Sequence, residues 1–346
     1  MTIFKTKKHR LSHSIASALA VAAMAVVGFA VPAIFFSAHA ETIKKPAISV
    51  KKKAVKTVKA RKTVRTAAVP DFSSDGGPNL LSHAALVFDQ ATGRAIYAKN
   101  AEIAAPIASI TKLMTAMVVL EAKQNMDEPV VINAADIDTI KNSHSRLPVG
   151  TAFRREDLMR LALMASDNRA AAALGRTYPG GTAAFVDAMN AKAKSLGLHN
   201  SHFVDPTGLA PGNVATPQDL ALMVSAASGF ETIRIFSTAP ALHVTLPNSG
   251  RQLGFNNTNS LVKSDGWNIG LSKTGFINEA GKCLVMQAII GTKPVVIVLM
   301  DSWGKFTRIG DAERIKKWIE SRKVIDVPAA TVLPVLPPLP VSGKVV

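Results

Sequence analysis

Strand-like runs stand on both sides of a long helical block in this chain, and that order leaves few folds open to it. Ala84-Ala85-Leu86-Val87-Phe88-Asp89 and Arg94-Ala95-Ile96-Tyr97-Ala98 flank Gln90-Ala91-Thr92-Gly93. Strand formers on either side of a glycine-containing turn spell a β-hairpin. Helical spacing then dominates: residues 109–122, two segments within 151–176 broken at Ser166-Asp167-Asn168, and residues 182–196 closing at Gly197. Thr216 as cap and Pro217 at the first helical position open a further helix. Within this block residues 127–132 have short-strand character. Strands return at 268–275, 282–290 and 294–300, and residues 305–321 close as a helix. The expected class is therefore α+β: an antiparallel sheet flanked by helices, with an inserted all-helical lobe and an active site between the two.

The chain has 346 residues, length enough for a sizeable core. Its formal charge of +17 would suggest a nucleic-acid binder if it were spread over the fold. Residues 1–70, however, hold 14 Lys/Arg against one acidic residue, Glu41, which places +13 there and leaves +4 for residues 71–346. Residues 1–40 are expected to be a secretory signal. Lys5, Lys7, Lys8 and Arg10 precede an apolar run over 15–36, and Ala38-His39-Ala40 makes a small-x-small exit with cleavage after Ala40. Uncut, the run is long enough to tether the chain in a bilayer. Either way the remainder is exported, and a periplasmic location is expected.

Residues 41–82 are expected to be a basic linker, since lysines and arginines over 44–65 alternate with Ala, Val and Thr and cannot build a core. A solvated tether and electrostatic contact with wall polyanions or anionic lipid both remain open for it. Nucleic acid is not an expected partner, because the tract lacks interleaved aromatics and is exported. The folded domain is expected over 83–327, followed by a Pro-rich tail over 328–346. The single Cys283 sits in an apolar strand as a small buried filler. His199-x-x-His202, beside Gly197, Asn200 and Asp205, reads as a helix-exit turn in preference to a zinc site, and no metal or cofactor is expected.

The helix that opens at Pro106-Ile107-Ala108-Ser109-Ile110-Thr111-Lys112-Leu113-Met114-Thr115-Ala116 bears the chemistry. Ser109 and Lys112 are three residues apart and project from one helix face. A lysine against an apolar helix loses solvation, its pKa falls, and a neutral amine can take a proton from serine. Spacing alone carries little weight, because Ser-x-x-Lys also occurs at Ser49–Lys52, Ser260–Lys263 and Ser302–Lys305. Ser49 lies in the lysine tract and the other two lie among turn formers. Only Ser109 starts a buried-looking helix. Ser166-x-Asn168 could be plain N-cap material on its own, and Lys273-Thr274-Gly275 falls on an expected strand.

The three motifs stand in the order that characterises class A β-lactamases and penicillin-binding proteins. Over about residues 84–330 the chain resembles the low-molecular-mass penicillin-binding proteins, the serine D-Ala-D-Ala peptidases of family S11, and within them the murein DD-endopeptidase group (penicillin-binding protein 7 type). The resemblance rests on the 106–120 stretch, on Asn190-Ala191-Lys192-Ala193-Lys194-Ser195-Leu196-Gly197, and on Lys273-Thr274-Gly275-Phe276 with Cys283-Leu284-Val285-Met286. It implies a DD-peptidase/β-lactamase-like fold, an acyl-enzyme on Ser109, and Lys112 as its base. Ser166 and Asn168 would complete a hydrogen-bond relay and hold the substrate amide. Lys273 and Thr274 would bind anionic or carbonyl oxygen, Lys273 also keeping Lys112 neutral, while Gly275 would let substrate backbone lie on the strand. The backbone amides of Ser109 and Phe276 would form the oxyanion hole. Peptidoglycan peptide stems are the implied substrate, their D-Ala–diaminopimelate cross-links the implied bond, and β-lactams the implied inhibitors.

Two absences narrow the choice. Residues 328–346, short and Pro-rich, are not expected to form the second β-domain or the amphipathic helix that carboxypeptidase members carry. There is no Glu-x-x-Leu-Asn loop of the kind that deacylates a class A β-lactamase. The alternatives are a D-alanyl-D-alanine carboxypeptidase trimming stem pentapeptides and a wall-binding protein that keeps the fold without turnover.

Overall fold

The computed structural model describes residues 70–247 and 249–322. The leader, the linker as far as residue 69 and the Pro-rich tail lie outside the described residues.

β1 (Ala84–Asp89) and β2 (Arg94–Lys99) form the expected hairpin, and β3 (Ala105–Pro106) leads into α1 (Thr111–Glu121). From Thr111 to Val119 every residue of α1 is buried, so it is a central helix with no solvent face to mark its period. The ribbon of β4 (Pro129–Val131) and β5 (Ala152–Arg154) precedes α2 (Arg155–Met164), α3 (Asn168–Arg176) and α4 (Gly181–Ser195). β6 (Val214–Ala215) pairs with β3, and α5 (Pro217–Ala227) and α6 (Glu231–Thr238) complete the lobe. A hairpin of β7 (Ala241–Thr245) and β8 (Gln252–Asn256) follows. The chain then returns to the sheet as β9 (Asn268–Ile277), β10 (Gly281–Ile290) and β11 (Lys293–Ser302), and ends in α7 (Thr307–Ser321).

The main sheet has the order β2-β1-β11-β10-β9, antiparallel throughout. Leu86 and Phe88 of β1 join a core shared with α1, α5 and α6, whereas Ala85 and Val87 point to the other face, which α7 covers with Ala312 and Ile315. Strands covered on both faces read as unbroken apolar runs, and Cys283-Leu284-Val285-Met286 of β10 is fully buried for that reason. Burial pushes the Cys283 thiol up to about 11, so it is inert filler.

The structure corrects the sequence in two places. The lobe is not all-helical, since it carries the β3–β6, β4–β5 and β7–β8 ribbons. The expected linker boundary at residue 82 is also too late. Leu80 and Ser82 are buried, and the carboxylate of Asp311 in α7 accepts from the amides of Leu81 (3.0 Å) and Ser82 (2.7 Å). A fully buried carboxylate needs such donors, and the segment that supplies them is part of the domain.

Candidate active site

Ser109 lies in a 3-10 turn, Ala108–Ile110, immediately ahead of α1. Ala108 has φ +48°, a left-handed conformation that a residue with a Cβ adopts at a cost of about 1 kcal/mol or more. The turn is held from below. The amide of Ile107 donates to the carbonyl of Asn213 at 3.0 Å, and Asn213 Nδ2 donates to Thr111 Oγ1 at 3.0 Å. Thr111 Oγ1 in turn donates to the carbonyl of Ala108 at 2.8 Å.

Lys112, one turn into the buried helix, has no solvent contact. Its Nζ lies 2.7 Å from Ser109 Oγ, 2.7 Å from Asn168 Oδ1 and 2.6 Å from the carbonyl oxygen of Thr207. Burial lowers its pKa to about 7, against the opposing pull of Asp205, Asp167 and Asp138. The geometry then decides where the lone pair points. Asn168 Oδ1 and the Thr207 carbonyl can only accept, so a neutral amine donates its two protons to them and turns its lone pair to Ser109. That is the arrangement a general base for a serine requires.

Both carbonyl groups are themselves fixed. Asn168 opens α3, and its Nδ2 donates to Ser143 Oγ at 2.7 Å. Thr207 lies in a turn organised by Asp205, whose carboxylate accepts from the amides of Thr207, Gly208 and Ala210 at 2.5, 2.8 and 2.9 Å. Asn213 Oδ1 accepts from the amides of Val204 (2.7 Å) and Asp205 (3.2 Å), tying this turn to the nucleophile's turn.

Ser166, in the break between α2 and α3, has φ +58°, a second strained non-glycine residue at the same site. Lys273 of β9 reaches it across the groove: its Nζ donates to Ser166 Oγ and to the carbonyl of Thr274, both at 2.8 Å. Lys273 is also buried, and burial, then Lys112, then Arg308 hold its pKa well below the lysine range. The repulsion between the two amines thus accompanies burial as the cause. For Lys112 desolvation is the first cause, as its place against an apolar helix leads one to expect, while the additional effect expected from Lys273 is not among the causes of its shift.

Thr274 Oγ1 donates to Thr258 Oγ1 at 2.6 Å, and the amide of Thr258 donates to the carbonyl of Met164 at 3.0 Å, so the lobe also positions this side chain. Gly275 has a different requirement from the expected one. A Cβ there would stand 2.9 Å from the carbonyl oxygen of Ile107 and 3.2 Å from the amide nitrogen of Ser109. The glycine therefore lets β9 approach the nucleophile's own turn, and the constraint comes from the protein before any substrate. Phe276 follows on this edge strand with its side chain 55% exposed. Ser109, Lys112, Ser166, Asn168, Lys273, Thr274 and Gly275 thus meet along one groove between lobe and sheet. Ser143, Thr207, Asp205, Asn213 and Thr258 were not read from the sequence. Among the described residues, no cluster of His, Cys, Asp or Glu is disposed to hold a metal ion.

A family model described as peptidase S11, D-alanyl-D-alanine carboxypeptidase, matches residues 71–304. The chain is 46% identical over 266 residues to the D-alanyl-D-alanine endopeptidase of Escherichia coli, covering 77% of this chain and 85% of that one. It is 47% identical over 251 residues to the D-alanyl-D-alanine endopeptidase of Pseudomonas aeruginosa, covering 72% and 81% respectively. The crystal structure of a Streptomyces DD-transpeptidase superposes with a TM-score of 0.66 at 30% identity, over 70% of this chain and 98% of that one. With the motif order, the antiparallel sheet and the serine–lysine groove all in place, the chain belongs to the S11 family of serine D-Ala-D-Ala peptidases.

Proposed function

We propose that this protein is a murein DD-endopeptidase that cleaves D-Ala–diaminopimelate cross-links through an acyl-enzyme on Ser109. The observation that carries the reading is the set of three contacts of Lys112 Nζ, with Ser109 Oγ at 2.7 Å and two acceptors that can take only its protons, which leaves the lone pair of the neutral amine for Ser109. Ser109 Oγ attacks the D-Ala carbonyl carbon as its proton passes to Lys112 Nζ. The C–N bond then breaks, and the leaving amine takes the proton that Lys112 accepted, relayed through the Ser166 hydroxyl that Lys273 holds, which returns Lys112 to its neutral form. Water, deprotonated by Lys112, releases the acyl group. The backbone amides of Ser109 and Phe276 stabilise the oxyanion in both steps. The two curated relatives named above carry the endopeptidase activity in their names.

β-Lactams acylate Ser109 in this reading, because they offer the same carbonyl beside the same nucleophile. The location that goes with such a substrate is the periplasm, supported by the basic, apolar and small-x-small signature of residues 1–40.

Purified cross-linked muropeptide dimers and pentapeptide monomers, digested side by side, test the proposal. The dimers should be consumed by the native enzyme and left intact by Ser109→Ala. The description of the family model favours one other reading, a carboxypeptidase, and preferential consumption of pentapeptide would establish that instead.

A pH dependence follows from Lys112. Only the neutral amine accepts a proton, so the second-order rate of acylation by benzylpenicillin should rise with pH through a midpoint near 7. A rate that is flat from pH 5.5 to 8.5 would remove Lys112 from the role of base.

A further inference from the structure

Among the described residues one ion pair joins the two walls of the groove, with Lys141 Nζ 2.5 Å from Glu279 Oε1. Lys141 stands two residues before Ser143, which holds Asn168. Glu279 lies in the turn between β9 and β10, three residues beyond Phe276. The pair is not needed to hold its loop. The Asp138 carboxylate already accepts from the amides of Ile140, Lys141 and Ser143 at 2.8, 3.0 and 2.7 Å. Both side chains are also partly open to solvent, 27% and 40% exposed, where water and salt screen an ion pair and it adds little to stability. Its position at the end of the groove calls for another explanation.

We propose that Lys141 and Glu279 form a subsite for an amino-carboxylate group, the zwitterionic end of a stem-peptide side chain on the acyl-donor strand. The inference rests on the peptidase reading above. A peptide laid along the open edge of β9 as an added strand runs toward this pair. Three residues separate Phe276 from Glu279, a span of at most about 10 Å. The residue next to the scissile D-Ala lies about 3.8 Å from it along the chain, and a side chain of four C–C bonds adds about 5 Å; the resulting reach of about 9 Å suffices because β9 ends at Ile277 and the chain turns back before Glu279, short of the extended maximum. The charges match as well as the reach. The lysine ammonium donates to the carboxylate of the ligand, and the glutamate accepts from its ammonium. Exchange of partners leaves every charge paired. An amidated carboxylate would leave Lys141 without its new partner and hold the incoming ammonium against it.

The test uses the full-chain enzyme, with each preparation titrated by labelled benzylpenicillin so that rates refer to competent active sites. kcat/KM is measured on cross-linked dimers whose donor diaminopimelate ends in a free amino-carboxylate, and on the same dimers with that carboxylate amidated. The native enzyme should prefer the free form by about tenfold, mainly through KM. Glu279→Gln and Lys141→Met should each reduce that preference to within about twofold, and the swap Lys141→Glu with Glu279→Lys should recover part of it. No preference in the native enzyme, or a preference that survives in both single variants, overturns the subsite. A native preparation that takes no penicillin label and cleaves neither dimer defeats the peptidase reading instead.

Discussion

Lys112→Met is expected to cut acylation by benzylpenicillin about 10²–10⁴-fold, the range a positioned general base supplies, and at the same time to remove a pH dependence from folding stability. The two effects have one cause. Burial holds Lys112 at about 7 against an ordinary lysine value of 10.5. Between those values the unfolded chain binds a proton that the folded protein does not, so stability rises with pH across that window. Below about 7 both states are protonated and the cost of the buried charge is present in full. Above 10.5 it is gone. Between pH 7 and 9 the native protein should therefore gain about 2–3 kcal/mol relative to Lys112→Met, which keeps the burial without the titration. Urea denaturation of both proteins at the two pH values reads this difference directly. Parallel stability profiles would mean that Lys112 is not the desolvated amine the structure describes. Lys273 is shifted in the same direction and owes part of that shift to Lys112, so it relaxes toward the lysine range in Lys112→Met, and the difference between the two proteins reads the coupled pair of amines.

The same burial explains what could be read from the sequence. Ser109 and Lys112 were legible because they interrupt an apolar helix, and Ser166, Asn168 and Lys273 because their spacing and order form a known set. Asn168 apart, the groups that aim Lys112, or hold Asn168 to do so, were not legible. One is a backbone carbonyl at Thr207, which any residue would supply. Another is Ser143, in a polar loop whose role depends on a contact with Asn168 across 25 residues. α6 was also missed. Its sequence, Glu-Thr-Ile-Arg-Ile-Phe-Ser-Thr, is rich in β-branched residues, and no side chain caps it. It is helical because Ile233 and Phe236 are buried against the rest of the lobe, a tertiary effect that local propensity does not carry. The ordering of Leu81 and Ser82 against Asp311 belongs to the same class, since it is fixed by a partner about 230 residues away in the chain.

Gly208→Ala should be the most damaging substitution that leaves every catalytic side chain in place. Gly208 has φ +81°, and a Cβ there would stand 1.9 Å from the carbonyl oxygen of Ala108, 2.4 Å from its carbonyl carbon and 2.8 Å from Thr111 Oγ1. Two of these three atoms are backbone, and the third already donates to the Ala108 carbonyl, so no rotamer change relieves the clash. Either the Asp205 turn or the nucleophile's turn must move. If the first moves, the Thr207 carbonyl leaves Lys112; if the second moves, Ser109 does. A displacement of about 1 Å costs about 10²-fold in rate, and left-handed strain plus overpacking removes about 3 kcal/mol or more of stability. Gly150→Ala is the matched control. Its φ is +84°, yet nothing lies within 4 Å of the added Cβ, so it suffers the conformational penalty alone, about 1–2 kcal/mol, and should acylate normally. The difference between the two variants isolates the contact beneath the nucleophile. Equal stability losses, with benzylpenicillin acylation unchanged in Gly208→Ala, would show that the 205–210 turn does not support Ser109 and Lys112. A loss confined to Gly208→Ala shows that a residue without a side chain fixes the position of both reacting groups.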